Sequence, residues 1–268
     1  MLPVDTFAGT TVIVTGGGTG LGKAVAVEFA RLGAAVGIVS RDEGHRRAGA
    51  AAVEAVGGRA AHAGADIRRA EDVAAAFDAL EGELGPARVL VNNAAANFPV
   101  PADDLSPNGW RAVTQIVLDG TFFCSQELFR RAQRAGEPGA ICNILATQSF
   151  TGGPGMAHTA AAKAGVGNLT KTLAVEWAPA GVRVNALAPG LFPHEDMRAD
   201  LKALRTEGEG VDARRSPAGR LGRLHELGWA AAWLCSPYAA FVSGHTLVVD
   251  GANWLRQIVY SGGHHRQN

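Results

Sequence analysis

Four things are scarce in this 268-residue sequence, and each scarcity narrows what the protein can be. Cysteine occurs only at Cys124, Cys142 and Cys235. Each sits in an apolar run, and none has the Cys-x-x-Cys or Cys/His spacing of a metal site, so buried free thiols in a reducing compartment are expected. Excess charge is absent too. Lys+Arg and Asp+Glu are both 25, so no global field argues for a nucleic-acid partner or an anionic membrane. No apolar run approaches the ~20 residues needed to span a bilayer. The start, Met1 to Asp5, lacks a basic region followed by an apolar one, so no signal peptide is read and a cytoplasmic location is expected. Tyrosine is present only as Tyr238 and Tyr260, both late in the chain.

What is abundant is small and apolar. Hydrophobic residues make up 47% of the chain and there are 35 glycines, which suits one large α/β domain over residues 1–268. Thr11-Val12-Ile13-Val14 is a β-branched run suited to a buried parallel strand. It leads into Thr15-Gly16-Gly17-Gly18-Thr19-Gly20-Leu21-Gly22, and then a helical pattern from Ala24 to Leu32. Glycines between strand and helix let the backbone approach a diphosphate, while the helix N-terminus offers free N–H groups and a positive dipole end. The glycine spacing is not the Gly-x-Gly-x-x-Gly of many dinucleotide folds, and a tight structural turn is the bland alternative. The position next to the first strand favours a nucleotide site formed by Gly16, Thr19, Gly20 and Leu21.

Strands are expected at Ala35–Ser40, Arg59–Gly64, Val89–Val91, Gly139–Leu145, Arg183–Leu187 and Thr246–Val249, alternating with helices. Alternation without internal repeats predicts a doubly wound parallel sheet. The second strand ends in Ser40-Arg41, where the adenosine ribose of a dinucleotide should lie. Arg41 suits the 2′-phosphate of NADPH better than the bare hydroxyl of NADH, though Asp42 follows and could instead be the N-cap of the next helix. Asp66 and Ile67, just past the third strand, are candidates for the adenine, with a plain turn aspartate as the alternative. Asn93 and Ala94 close the fourth strand, and small residues there leave room for a cofactor ribose. One long helix is expected from Asn108 to Ala135, with Asp119-Gly120 in its apolar middle, and another from Met156 to Ala178. Ala188-Pro189-Gly190 reads as a turn after the sixth strand. Residues 192–222 turn polar, with Arg205, Arg214, Arg215 and Arg220, and read as a substrate-side lid whose charges are more simply a solvated face. The tail 258–268 is polar, and His264-His265 reads as surface rather than metal-binding. No metal site is expected.

These motifs together resemble the short-chain dehydrogenase/reductase family over nearly the whole length. The residues that carry the likeness are Thr15-Gly16-x-x-x-Gly20-x-Gly22, Asn92-Asn93-Ala94, Lys163, Pro189-Gly190, Gly219-Arg220 and Asp250-Gly251. The resemblance implies a seven-stranded Rossmann sheet in the order 3-2-1-4-5-6-7, a nicotinamide cofactor touching Pro189 and Gly190, and a homotetramer. Within the family, Asn92-Asn93-Ala94-Ala95-Ala96-Asn97-Phe98, Val117-Leu118-Asp119-Gly120-Thr121 and His158-Thr159-Ala160-Ala161-Ala162-Lys163 are similar to segments of 2,4-dienoyl-CoA reductases. Ala96 and Asp119 depart from a glycine and an asparagine there.

Family members that reduce carbonyls use a serine, a tyrosine four residues before the lysine, and that lysine. The ammonium lowers the phenol's pKa and holds the ribose. Here those positions hold Ala146, Thr159 and Lys163, and an aliphatic hydroxyl is a far poorer acid than a phenol. Dienoyl-CoA reductases lack that tyrosine as well. The likeness implies that the thioester oxygen is bound by a tyrosine fifteen residues before the lysine and by the helix asparagine, positions occupied here by Gln148 and Asp119. Gln148 can donate a hydrogen bond but not a proton at neutral pH. Asp119, if burial protonates it, could do both; a structural helix aspartate is the alternative. His158 and Thr159 are reserve proton carriers. The leading expectation is an NADPH-dependent reductase of a conjugated enoyl or dienoyl thioester, such as a CoA thioester. An atypical carbonyl or enone reductase and an NADP(H)-binding protein with little catalysis are the alternatives.

Overall fold

The computed structural model describes residues 2–197 and 216–255. Seven strands, β1 (Thr11–Thr15), β2 (Ala35–Ser40), β3 (Arg59–Gly64), β4 (Ala87–Asn92), β5 (Gly139–Ile144), β6 (Val182–Pro189) and β7 (Thr246–Val249), form one sheet. Its order is β3-β2-β1-β4-β5-β6-β7, and every pairing is parallel. This is the doubly wound α/β fold that the alternation of strands and helices predicts, with the Rossmann strand order that the family resemblance implies. The chain reverses its direction of growth between β1 and β4, and ligands bind such sheets at that switch point, beyond the C-terminal strand ends.

Helices cover both faces. They are α1 (Gly20–Arg31), α2 (Glu43–Glu54), α3 (Ala70–Leu84), α4 (Pro107–Thr114), α5 (Gly120–Ala135), α6 (Gln148–Thr151), α7 (Ala157–Trp177) and α8 (Leu224–Cys235). The pleat of β1 explains the two layers. Val12 and Val14 point into a core with Phe29 of α1 and Leu227 and Leu234 of α8. Ile13 points the other way, into a core with Phe77 and Leu80 of α3, Leu128 of α5 and Leu173 of α7. All residues of β1 are buried, as a strand covered on both faces must be. No helix among the described residues is long and apolar enough to cross a membrane.

The elements differ from the sequence reading in four places. Helix α1 begins at Gly20, not Ala24, because the last glycines of the loop form its first turn. The long helix from Asn108 is interrupted by a π-turn at Gln115–Asp119 between α4 and α5, which a continuous apolar pattern does not reveal. Pro189 belongs to β6 and pairs with Val249; proline is tolerated there because it closes the strand. The short helix α6 follows β5 directly, where the glycines on its C-terminal side suggest only loop.

A ladder of buried amides and hydroxyls ties the strand ends to the helices. The Asn92 amide donates to Ser125 Oγ and to Asn143 Oδ1, each at 2.9 Å. Asn143 in turn donates to Thr170 Oγ1 at 3.0 Å. β4, β5, α5 and α7 are thereby locked together directly below the cleft, with each buried amide satisfied.

Candidate active site

The glycine-rich loop is held in shape by the end of β4. Asn93 Nδ2 donates to the carbonyls of Thr15 and Gly16, both at 3.1 Å. The Thr15 hydroxyl accepts from the backbone N–H groups of Asn93 and Ala94, also at 3.1 Å. Gly16 and Gly20 have φ of +63° and +48°, values that side chains other than glycine's rarely adopt. A Cβ at Gly22 would lie 2.3 Å from both Gly16 O and Asn93 Nδ2, so that position must stay bare for the loop to close. Thr19 is the N-cap of α1, yet its side chain makes no capping bond. The result is a cradle of backbone N–H groups at a helix N-terminus, built from glycine-rich backbone beside the switch point. That geometry fits the diphosphate of a dinucleotide.

At the adenosine end the ambiguity of Asp42 is resolved. Its carboxylate accepts from His45 N–H at 2.7 Å and caps α2, so it serves the helix start. Arg41 is exposed beside it. Arg46, which the sequence pattern did not single out, folds back along α2. Its guanidinium donates to the carbonyls of Ser40 and Arg41 at 3.0 and 2.7 Å and brings a second cation to this end. Asp66 is engaged by the Arg68 side chain and backbone, and those hydrogen bonds hold its carboxyl down at about 2. Its carboxylate is therefore occupied within its own turn. Ile67 is buried and packs on Gly120, where a Cβ would lie 2.6 Å from Ile67 Cδ1.

Lys163 lies on α7 with only 6% of its surface exposed. Its ammonium donates to the carbonyl of Ile144, at the end of β5. Burial pushes its pKa down to about 8, since desolvation disfavours the charged form. One turn earlier, Thr159 is buried and its hydroxyl donates to Asn97 Oδ1 at 2.8 Å. Asn97 enters the site through that contact; sequence alone placed it only in a motif. His158 is fully buried and stands edge-to-face against Phe98, centroids 4.5 Å apart. Its Nδ1 accepts the Thr159 N–H at 2.9 Å, and burial lowers its pKa, favouring the neutral ring. The imidazole is sealed under Phe98 rather than presented to the cleft.

Asp119 closes the π-turn, which packs against α7, the helix of Thr159 and Lys163. Leu118 sits over Gly165 of that helix, where a Cβ would lie 3.3 Å from Leu118 Cδ1. The premise of burial is corrected here: Asp119 is exposed in the single chain. Its carboxylate makes no hydrogen bond or ion pair among the described residues, not even as the cap of α5. The bland alternative, a helix aspartate bonded to its surroundings, is therefore not what the structure holds. π-turns inside helices recur at functional sites. Gln148 opens α6 and is half-buried, with Gly153 packed on its side chain. Pro189 and Gly190 meet the Asp250-Gly251 turn; a Cβ on Gly190 would lie 2.5 Å from Asp250 Cβ. Arg220 pairs with Glu226 at the start of α8, a structural contact. Arg205, Arg214, Arg215, Tyr260, His264, His265 and the tail 258–268 lie outside the described residues. Tyr238, the one tyrosine among them, is 62% exposed on a turn after α8. All three cysteines are free and buried.

Comparison with known proteins agrees with this geometry. Residues 16–252 match the family model described as enoyl-(acyl carrier protein) reductase. A probable 2,4-dienoyl-CoA reductase of Bacillus subtilis is 40% identical over 91% of this chain and 96% of its own length. A 3β-hydroxysteroid dehydrogenase of Eggerthella lenta is 39% identical over 94% of this chain and 96% of its own. The crystal structure of a gluconate 5-dehydrogenase from Burkholderia cenocepacia, in complex with NADP and tartrate, superposes with a TM-score of 0.86 at 36% identity, covering 95% of this chain and 99% of that one. With the glycine cradle, the Asn93 clamp and the buried lysine on α7 in place, the chain belongs to the short-chain dehydrogenase/reductase family and is a nicotinamide-dependent oxidoreductase.

Proposed function

We propose that this oxidoreductase reduces a conjugated enoyl or dienoyl thioester, in the manner of a 2,4-dienoyl-CoA reductase, with NADPH as its cofactor. The observation that carries the reading is Thr159. It fills the place of the family's phenolic acid, and its hydroxyl is already committed to Asn97, so the usual protonation of a ketone oxygen lacks its donor. Reduction of a conjugated thioester needs a hydrogen-bond donor to the carbonyl oxygen and a proton for carbon, which do not have to come from one phenol. Bound NADPH supplies the hydride. The rest falls to this chain: Lys163 would hold the ribose, the Gln148 amide donates to the thioester oxygen, and the exposed Asp119 carboxylate relays a proton from solvent to carbon. Arg41, with Arg46 behind it, supplies the positive charge that favours a 2′-phosphate. Resemblance to the Bacillus subtilis protein supports the thioester class.

The same reading proposes a single domain with residues 192–222 as a substrate-side lid, a cytoplasmic location and a homotetramer. Support for the last is that β7 is an edge strand and that Tyr238 and Phe241, in the turn leading to it, are exposed. A second copy would cover them.

A panel of purified protein, NADPH and either a 2,4-dienoyl-CoA or free ketones and enones tests the function. NADPH oxidation with the thioester and little with the free ketones is expected. The likeness to a hydroxysteroid dehydrogenase favours the second reading, an atypical carbonyl reductase, and turnover of ketones without thioester activity would establish that one instead.

A further inference from the structure

We infer that Leu191–Met197 is a self-inhibitory strap whose Asp196 carboxylate occupies the anion cradle needed by the cofactor diphosphate. The inference rests on the glycine-rich loop being that diphosphate's site. Asp196 Oδ2 accepts from the Gly20 N–H at 2.7 Å, the first residue of α1. Lys23, one turn further along the helix, reaches back with its ammonium 3.4 Å from Asp196 Oδ2 and 2.8 Å from Glu195 Oε1. His194 presses on the same point: a Cβ at Gly20 would lie 2.8 Å from His194 Cε1. A turn closed by Met197 N–H donating to His194 O at 3.2 Å presents these side chains together.

Two carboxylates and a helix N-terminus with its own ammonium thus form a matched set. A free backbone N–H at the positive end of a helix selects an anion, and a nearby cation reinforces the choice. The bond from Gly20 also lowers the Asp196 pKa, keeping it anionic at neutral pH. The Gly20 N–H is one donor, and a carboxylate and a phosphate in one small cradle repel. Cofactor binding therefore requires the strap to withdraw, which frees Lys23 to face the diphosphate. Because the strap begins directly after Pro189-Gly190 at the nicotinamide side, its withdrawal couples cofactor arrival to rearrangement of the substrate side.

The measurement is calorimetric titration of the full chain and of Asp196→Ala and Asp196→Asn, with NADP⁺ and with 2′-AMP, which has no diphosphate. Thermal melts check that the variants remain folded. Removing an internal competitor raises apparent affinity by the inverse of the open fraction. Asp196→Ala should then bind NADP⁺ about tenfold more tightly, Asp196→Asn by less, and 2′-AMP should bind all three alike. NADP⁺ affinity of Asp196→Ala within about twofold of the wild type, or weaker, would overturn the strap. Equal tightening of 2′-AMP would overturn it too, since the effect would then lie outside the cradle. If NADP⁺ binds none of the three proteins, the dinucleotide reading itself fails and the strap with it.

Discussion

The cofactor half of this site and its acid half are built in opposite ways. On the cofactor side, the glycine loop is held by four hydrogen bonds between the Thr15–Gly16 and Asn93–Ala94 segments, and Lys163 is buried and anchored on β5. On the acid side, the Asp119 carboxylate is exposed and unengaged on a π-turn, and Gln148 opens a helix of only four residues. A rigid cradle suits a cofactor whose shape does not change. An acid half whose Asp119 carboxylate is uncommitted leaves that group to be organised by the substrate. The difference teaches that a missing phenol does not mean a missing site.

The largest blow to the comparison should come from Lys163→Met. If the cofactor half is as fixed as described, kcat/KM for the thioester falls by about 10³-fold, since ribose orientation and the adjacent charge are lost together; steady-state NADPH oxidation measures it. A smaller effect is expected for Asn93→Ala, which removes two bonds to the loop. It should cost about 1–2 kcal/mol in urea unfolding and weaken NADP⁺ binding about tenfold by titration, with little further change in kcat once the enzyme is saturated.

A further effect, on stability alone, is one of pH. Lys163 titrates near 8 in the folded chain against about 10.4 when unfolded. Between those values the unfolded state binds more protons, so the cost of burying this ammonium is fully present below pH 8. It is relieved as pH rises through 8 toward 10. Urea unfolding of the cofactor-free protein should show the wild type gaining on Lys163→Met by about 1–3 kcal/mol across that range. A constant difference would show that burial does not govern this lysine.

The same contrast runs through what the sequence revealed. Strands such as Thr11–Thr15 are legible because β-branched runs bounded by glycine admit few other readings; Gly16 and Gly20 follow from the loop after the first strand, Asn93 from the end of the fourth, and Lys163 from the family resemblance. The acid half is less legible because its features depend on contacts far apart in the chain. Thr159 meets Asn97 across 62 residues, and the same holds for the contact of Asp196 with Gly20 in the cofactor half, across 176. The π-turn at Asp119 is hidden for a different reason: Val113, Ile116 and Val117 keep a helical apolar stripe straight through it. Periodicity therefore reports an unbroken helix. Burial misled at Asp119 alone, where an apolar neighbourhood in sequence surrounds a residue on the exposed side of the turn.

The division of labour is tested most directly by Asp119→Asn, compared with the wild type for NADPH affinity and for kcat with a 2,4-dienoyl-CoA. The account predicts that the cofactor Kd stays within about twofold while kcat drops by about 10²-fold, the usual scale for losing a positioned acid. Unchanged turnover would contradict it and move the proton donor elsewhere.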